Sequence, residues 1–133
     1  MTNKTAEYFE NQKALGERAV ACKAWKWMPG MLGGTIGDWF RCYAQPDGLY
    51  WQGEPHGGWT KTKEDDWIPN LNDPGTKGCL LDLIRDASND PWLYVYNRSR
   101  ADGSETEWTT TISGRRFSAG SEQEVLIAML EIL

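Results

Sequence analysis

The dipeptide Asp102-Gly103 restricts this chain more than any other feature. Asp-Gly tolerates the positive φ values of a two-residue turn, the geometry that joins right-twisted antiparallel strands. It lies between two runs, Trp92 to Arg100 and Ser104 to Ile112, rich in the aromatic and β-branched residues that favour strands. If Asp102 and Gly103 alone form the loop, Arg100 faces Glu105, Arg98 faces Glu107, Tyr96 faces Thr109 and Tyr94 faces Thr111. Two Arg–Glu pairs across the strands support that register. Period-two alternation then puts Leu93, Val95, Trp108, Thr110 and Ile112 on one sheet face, and Trp92, Tyr94 and Tyr96 on the other.

Helices are expected on both sides of this hairpin. Upstream, Asp73 suits an N-cap and Pro74 the first helical position, where a missing N–H costs nothing. Leu80, Leu81, Leu83, Ile84 and Ala87 follow as an apolar stripe, and Ser88-Asn89-Asp90-Pro91 stops it. Downstream, a short strand around Arg115 to Ala119 precedes Ser121, which opens the last helix with Glu124 completing a capping box. Val125, Leu126, Met129, Leu130, Ile132 and Leu133 make that helix apolar over more than half its circumference. It needs cover on two sides, or a second chain.

The first half reads as a helix from about Thr5 to Ala24, with Tyr8, Leu15, Ala19 and Cys22 on one stripe. Trp25-Lys26-Trp27-Met28-Pro29-Gly30-Met31 is too large and apolar for a flexible connector, so a buried turn is expected there. A strand near Thr35 to Ala44 would place Ile36, Phe40, Cys42 and Ala44 on one face, with Trp39, Arg41 and Tyr43 on the other. Gln45-Pro46-Asp47-Gly48 is a turn, and Leu49 to Gly53 pairs back. Glu54 to Gly58 makes a second turn, Trp59 to Lys63 adds a short strand, and Trp67 to Leu71 is extended. The fold class is therefore α+β: an N-terminal helix with short antiparallel hairpins, then helix, three-stranded antiparallel sheet, helix. One compact domain over 1–133 is expected, with 1–66 and 67–133 as candidate lobes. A chain of 133 residues buries roughly two-thirds of its unfolded surface, so it needs no metal or disulfide to fold.

Eight tryptophans in this length are unusual, and indoles serve cores and interfaces alike. The formal net charge of −5 and the scattered Lys and Arg disfavour nucleic acid as a partner. Helix, three strands, helix is also the element order of double-stranded-RNA-binding domains. Those place basic residues where this chain has Ser121-Glu122-Gln123-Glu124, so RNA is again disfavoured. No apolar run approaches the ~20 residues of a membrane span, and the opening Met1 to Gln12 lacks a signal-peptide apolar region. A cytoplasmic protein is expected, with Cys22, Cys42 and Cys79 as reduced thiols.

Catalytic sets are hard to assemble. His56 is the one histidine, and His56-Gly57-Gly58 resembles an esterase oxyanion loop but has no Gly-x-Ser-x-Gly elbow to serve. Widely spaced cysteines with a single histidine do not make a zinc site, so no metal and no cofactor are expected. Asp65-Asp66 and Glu105 to Glu107 read as solvated charge. Arg115-Arg116 beside Gly114 is the densest basic spot, suited to a phosphate or carboxylate. Trp39, Arg41 and Tyr43 are the most ligand-like group, since an Arg between aromatic planes can stack on a base and pair its phosphate.

Two blocks carry a resemblance. Trp25 to Met31 (WKWMPGM) and Leu71 to Leu81 (LNDPGTKGCLL) resemble recurring segments of small uncharacterised accessory proteins of tailed phages and prophages, and Ser113 to Leu133 is similar too. The resemblance implies a protein made in the cytoplasm of a bacterial host, and brings no catalytic residue with it. Such proteins often act by occupying a host defence protein, a nucleotide signal or an assembly partner. The functional expectation is therefore a non-enzymatic anti-defence binding protein, contacting a host or phage protein or a nucleotide through Trp39, Arg41, Tyr43, Tyr94, Tyr96, Arg115 and Arg116. Two other readings stand beside it: a small hydrolase or transferase using His56, and an assembly protein that dimerises through its last helix.

Overall fold

A computed structural model describes residues 3–54, 57–60, 63–99, 106–112 and 114–133. Three helices and two antiparallel sheets form an α+β protein: α1 (Asn3–Ala21), α2 (Pro74–Ser88) and α3 (Glu122–Glu131). The first sheet holds β1 (Leu32–Thr35), β2 (Asp38–Gln45), β3 (Gly48–Gly53), β4 (Trp59–Thr60) and β5 (Ile68–Pro69) in the order β4-β3-β2-β1-β5. The second holds β6 (Tyr96–Ser99), β7 (Thr106–Ile112) and β8 (Arg115–Ala119) in that order.

The expected hairpin register is observed where the strands are described. Tyr96 pairs with Thr109 and Arg98 with Glu107. The Asp102-Gly103 turn and the Arg100–Glu105 pair lie outside the described residues, as does His56. The strand phase also holds: Leu93 and Ile112 are buried while Trp92, Tyr94 and Tyr96 are exposed. Regular pairing starts only at Tyr96: Trp92 lies in the turn after α2, closed by the Leu93 N–H donating to Asp90 O at 3.3 Å, and Leu93 to Val95 lead from it into the sheet.

Both expected helix starts are present. Asp73 has extended dihedrals and its carboxylate accepts from the Thr76 N–H at 2.9 Å. Ser121 Oγ accepts from the Glu124 N–H at 3.2 Å, satisfying a donor that the first helical turn leaves orphaned. Asn89 ends α2 in the left-handed conformation (φ 56°), which Asn tolerates better than most residues.

The first half departs from expectation at Ile36. Instead of one strand from Thr35 to Ala44, the chain makes two, β1 and β2, joined by Ile36-Gly37. Gly37 has φ +88°, a conformation closed to a β-branched residue at little cost. Ile36 therefore sits exposed on a turn tip rather than on the inward face. Pro46-Asp47 forms the next two-residue loop, between the paired residues Gln45 and Gly48.

The core has two parts. Ala19, Leu71, Leu80, Ile84 and the buried side of α3 make the larger. Cys42, Trp51 and Trp67 make the smaller, with Trp27, Phe40 and Leu49 against it. The Trp25-to-Met31 stretch joins them. Trp25 packs on the larger cluster, and successive edge-to-face contacts of 5.3 Å run from Trp25 to Trp27, Trp51 and Trp67. Phe40 stacks on Trp67 at 4.7 Å and ends the chain of rings. Such ring pairs add to area burial because the positive edge of one meets the negative face of the next. Gly33 is required beneath them, since a Cβ there would lie 2.5 Å from Trp27 Cζ3.

The last helix finds its cover within the chain. α1, α2 and strands β7 and β8 all pack on α3, and Arg18 holds Glu131 through bonds of 2.6 and 3.2 Å. Only Ile132, at its end, is largely exposed among its apolar side chains.

Candidate functional site

The aromatic side of the second sheet stays bare after folding. Trp92 is 85%, Tyr94 61% and Tyr96 41% exposed. Trp25 and Trp27 do not cover these rings, because both indoles are engaged in the core contacts above. The exposed lead is held from behind by its backbone: Arg85 Nε donates to Leu93 O at 2.7 Å, Thr110 Oγ1 to Tyr94 O at 2.7 Å, and the Trp92 N–H to Asp90 Oδ1 at 3.2 Å. Leu93 is the inward anchor. Tyr94 and Tyr96 lie 5.4 Å apart with a 39° tilt, and with Trp92, Asp90 and Thr111 they border a shallow depression of about 310 Å³. This is an exposed aromatic platform with a polar edge, its backbone hydrogen-bonded from behind.

Arg116 lies on the platform's side of the sheet, paired with Thr111 and donating to Thr109 Oγ1 at 3.3 Å. Arg115, one residue earlier, turns the opposite way and covers the Phe117 ring at 5.0 Å. The two arginines therefore do not form a joint anion cradle.

Trp39, Arg41 and Tyr43 share a face of β2 in the other sheet, apart from the platform. Arg41 is not sandwiched between rings. It donates Nη1 to Asp73 Oδ2 (2.6 Å) and to Gly30 O (2.9 Å), Nη2 to Asp73 Oδ1 (2.9 Å), and Nε to Glu54 Oε1 (3.1 Å). Asp73 Oδ2 also accepts from Thr76 Oγ1 (3.0 Å), and Thr76 Oγ1 in turn accepts from the Leu32 N–H (2.8 Å). Burial pushes the Asp73 pKa up, but the hydrogen bonds from Arg41 and Thr76 outweigh it and hold the carboxyl below its ordinary range. Arg41 is raised in turn, first by its bonds to Asp73. This node binds the first sheet to the start of α2, and little of the Arg41 fork remains for a ligand.

Burial disfavours the thiolate form at all three cysteines. Burial pushes Cys42 up to about 11. Burial also raises Cys22 and Cys79, helped by Glu131 for the first and by Asp82 and Asp73 for the second. A thiol above its ordinary pKa is protonated at neutral pH and attacks slowly. Among the described residues, no three His, Cys, Asp or Glu side chains gather as a metal would require.

A second concave feature was not foreseen in the sequence. α1 and the β1–β5 side of the first sheet border a groove with two compartments. The upper, about 290 Å³, is lined by Tyr8, Phe9, Gln12, Ile36, Trp39, Pro69, Asn70 and neighbours. The lower, about 530 Å³, continues past Ile36 and Ile68 to Lys13, Glu17, Asp65 and Asp66. Tyr8, expected on the inward stripe of α1, is half exposed here. The sequence signal was the doublet Tyr8-Phe9, since adjacent residues on a helix point about 100° apart and seldom share one narrow stripe.

Comparison of the chain with family models, with curated proteins and with solved structures returned no match. Among the described residues, no helix is long and apolar enough to cross a membrane.

Proposed function

We propose that this is a non-enzymatic binding protein that acts stoichiometrically on another protein, with the Trp92–Tyr94–Tyr96 platform as its contact surface. One observation carries the reading. A chain that buries or half-buries its other described indoles leaves Trp92 almost wholly in water, beside two exposed tyrosines on a backbone held by three hydrogen bonds. Trp and Tyr bring large contact area at low entropic cost and dominate interface energetics. A nucleotide is the weaker candidate, because Arg41, the arginine best placed to pair a phosphate beside rings, is committed to Asp73 and Glu54. The raised thiol pKa values support a role without a cysteine nucleophile.

The resemblance of the WKWMPGM and LNDPGTKGCLL blocks to phage accessory proteins supports a bacterial host cytoplasm as the setting and a host defence protein as the partner class. The dimer alternative loses its motive, since α3 is already covered by α1, α2 and the sheet.

The test compares capture from bacterial lysate by the wild-type protein and by the Trp92→Ala/Tyr94→Ala variant. A partner retained by the first and lost with the second supports the reading. Equal retention by both, or loss of partner with His56→Ala instead, removes it.

A further inference from the structure

We infer that the groove along α1 is a docking site for an extended, proline-containing peptide segment that carries a Lys or Arg beside its apolar anchors. This site is separate from the platform and does not depend on it.

The upper compartment is framed by large apolar groups. Tyr8 and Phe9 contribute from α1, Ile36 from the β1–β2 turn, Trp39 from β2 and Pro69 from β5. Tyr8, Phe9 and Ile36 are each more than a third exposed, an apolar grouping a folded surface seldom leaves in water. At about 290 Å³ the space is at or below the low end of a drug-sized site, so it takes single side chains and cannot admit a helix ~10 Å across.

The polar groups select an extended backbone. Asn72 is spent internally, donating to Tyr8 Oη (2.7 Å) and Gln12 Oε1 (3.0 Å) and accepting from Gln123 Nε2 (2.7 Å). Those bonds orient Gln12 by its carbonyl, and Asn70 is likewise oriented by accepting from the Asn72 N–H (3.1 Å). The amide NH₂ groups of Gln12 and Asn70 are then the ends without a hydrogen bond among the described residues, and both border the groove. The available polar groups are thus neutral donors. A polyproline-type strand has unsatisfied carbonyls along its length and prolines that fit between aromatic rings, whereas a helix has already used its carbonyls internally.

Charge chooses the flanking residue. The lower compartment carries three carboxylates, Glu17, Asp65 and Asp66, against one ammonium, Lys13. Lys13 leans on Glu17 at 3.9 Å, and Asp65 and Asp66 make no ion pair among the described residues. A cation on the incoming peptide, placed past Ile36, meets complementary charge that also speeds encounter.

The experiment uses an immobilised array of short proline-containing peptides and a matched array with every Pro replaced by Ala. The wild-type protein is expected to be retained by a subset of the first array enriched in Lys or Arg, and not by its Ala counterparts. For the best peptide of that subset, Trp39→Ala and the more exposed Phe9→Ser should each weaken binding at least about tenfold, with helical circular dichroism unchanged. Asp65→Asn/Asp66→Asn should weaken it about threefold, an effect that vanishes in high salt. Retention equal on both arrays, no retention on either, preference for acidic peptides, or binding unchanged by Phe9→Ser overturns the proposal. The Trp92→Ala/Tyr94→Ala variant, assayed alongside, should bind the array as wild type does; loss there assigns the peptides to the platform and overturns the groove.

Discussion

Arg41 grips Asp73 with two near-parallel bonds, Nη1 to Oδ2 at 2.6 Å and Nη2 to Oδ1 at 2.9 Å, across 32 residues of sequence. The same carboxylate caps α2 through Thr76, whose hydroxyl in turn receives the Leu32 N–H of β1. One acidic side chain therefore joins a helix start, a sheet and a turn. Removing Arg41 leaves that carboxylate mostly buried without its counter-charge, the costly way to break an ion pair. Arg41→Ala should lower unfolding free energy by roughly 3 kcal/mol in urea denaturation. Asp73→Ala should cost about 1 kcal/mol more, because it also loses the cap.

The same pair sets the acid limit. The Asp73 carboxyl lies below its ordinary range in the folded state. Its contribution is thus complete above the unfolded carboxylate pKa of ~3.9 and is lost as pH falls through the lower folded value. Glu131, held down by its bonds to Arg18, has the same sign, but both partners are exposed and solvent screens the effect. Thermal melts from pH 6 down to about 2.5 should show stability falling below ~pH 4 in the wild type. The Asp73→Asn variant should be less stable at pH 6 and show a flatter profile.

At the alkaline end, Cys42 is the sensitive group. Its thiol is pushed up to about 11 by burial, so the folded state holds its proton where the unfolded chain has released it. The sign is opposite: stability is full below the ordinary thiol pKa and declines as pH rises toward 11. Iodoacetamide at neutral pH should leave Cys42 unmodified in the native protein and label it in denaturant, as read by peptide mass spectrometry.

Gly33 and Trp27 form a steric pair. A methyl at Gly33 would meet the Trp27 ring at 2.5 Å, with Trp51 at 3.3 Å also close by. Gly33→Ala should therefore destabilise by roughly 1–3 kcal/mol, the usual cost of overpacking. Combined with Trp27→Leu, its added cost should shrink, and a double-mutant cycle would show the coupling.

Surface aromatics should behave in the reverse way. Trp92→Ala and Tyr94→Ala remove side chains that are 85% and 61% exposed. Unfolding free energy should change by less than about 0.5 kcal/mol for each, even where partner capture is abolished. A melting temperature within a degree of wild type would check this.

Local chemistry made much of this legible in advance. Asp73, Pro74 and Ser121 mark helix starts because a cap bonds donors only two or three residues away. The pairing of Tyr96 with Thr109 and of Arg98 with Glu107 was legible from the Asp102-Gly103 dipeptide, because a two-residue loop expected there implies this register. The break at Ile36-Gly37 was missed because Ile36 reads as a strand residue, and Gly37 carries the positive φ beside it.

The sequence by itself determined most of the elements and the phase of the Tyr94–Tyr96 face. Those rest on contacts within one helical turn or one hairpin. Only the tertiary structure decided that Arg41 spends its charge on Asp73, that α1 and α2 cover α3, and that Tyr8 and Phe9 meet Trp39 and Pro69 across a groove. Each of those depends on segments far apart in the chain, brought together where the half-buried Trp25-to-Met31 stretch links the two cores, and no local pattern encodes where such segments meet.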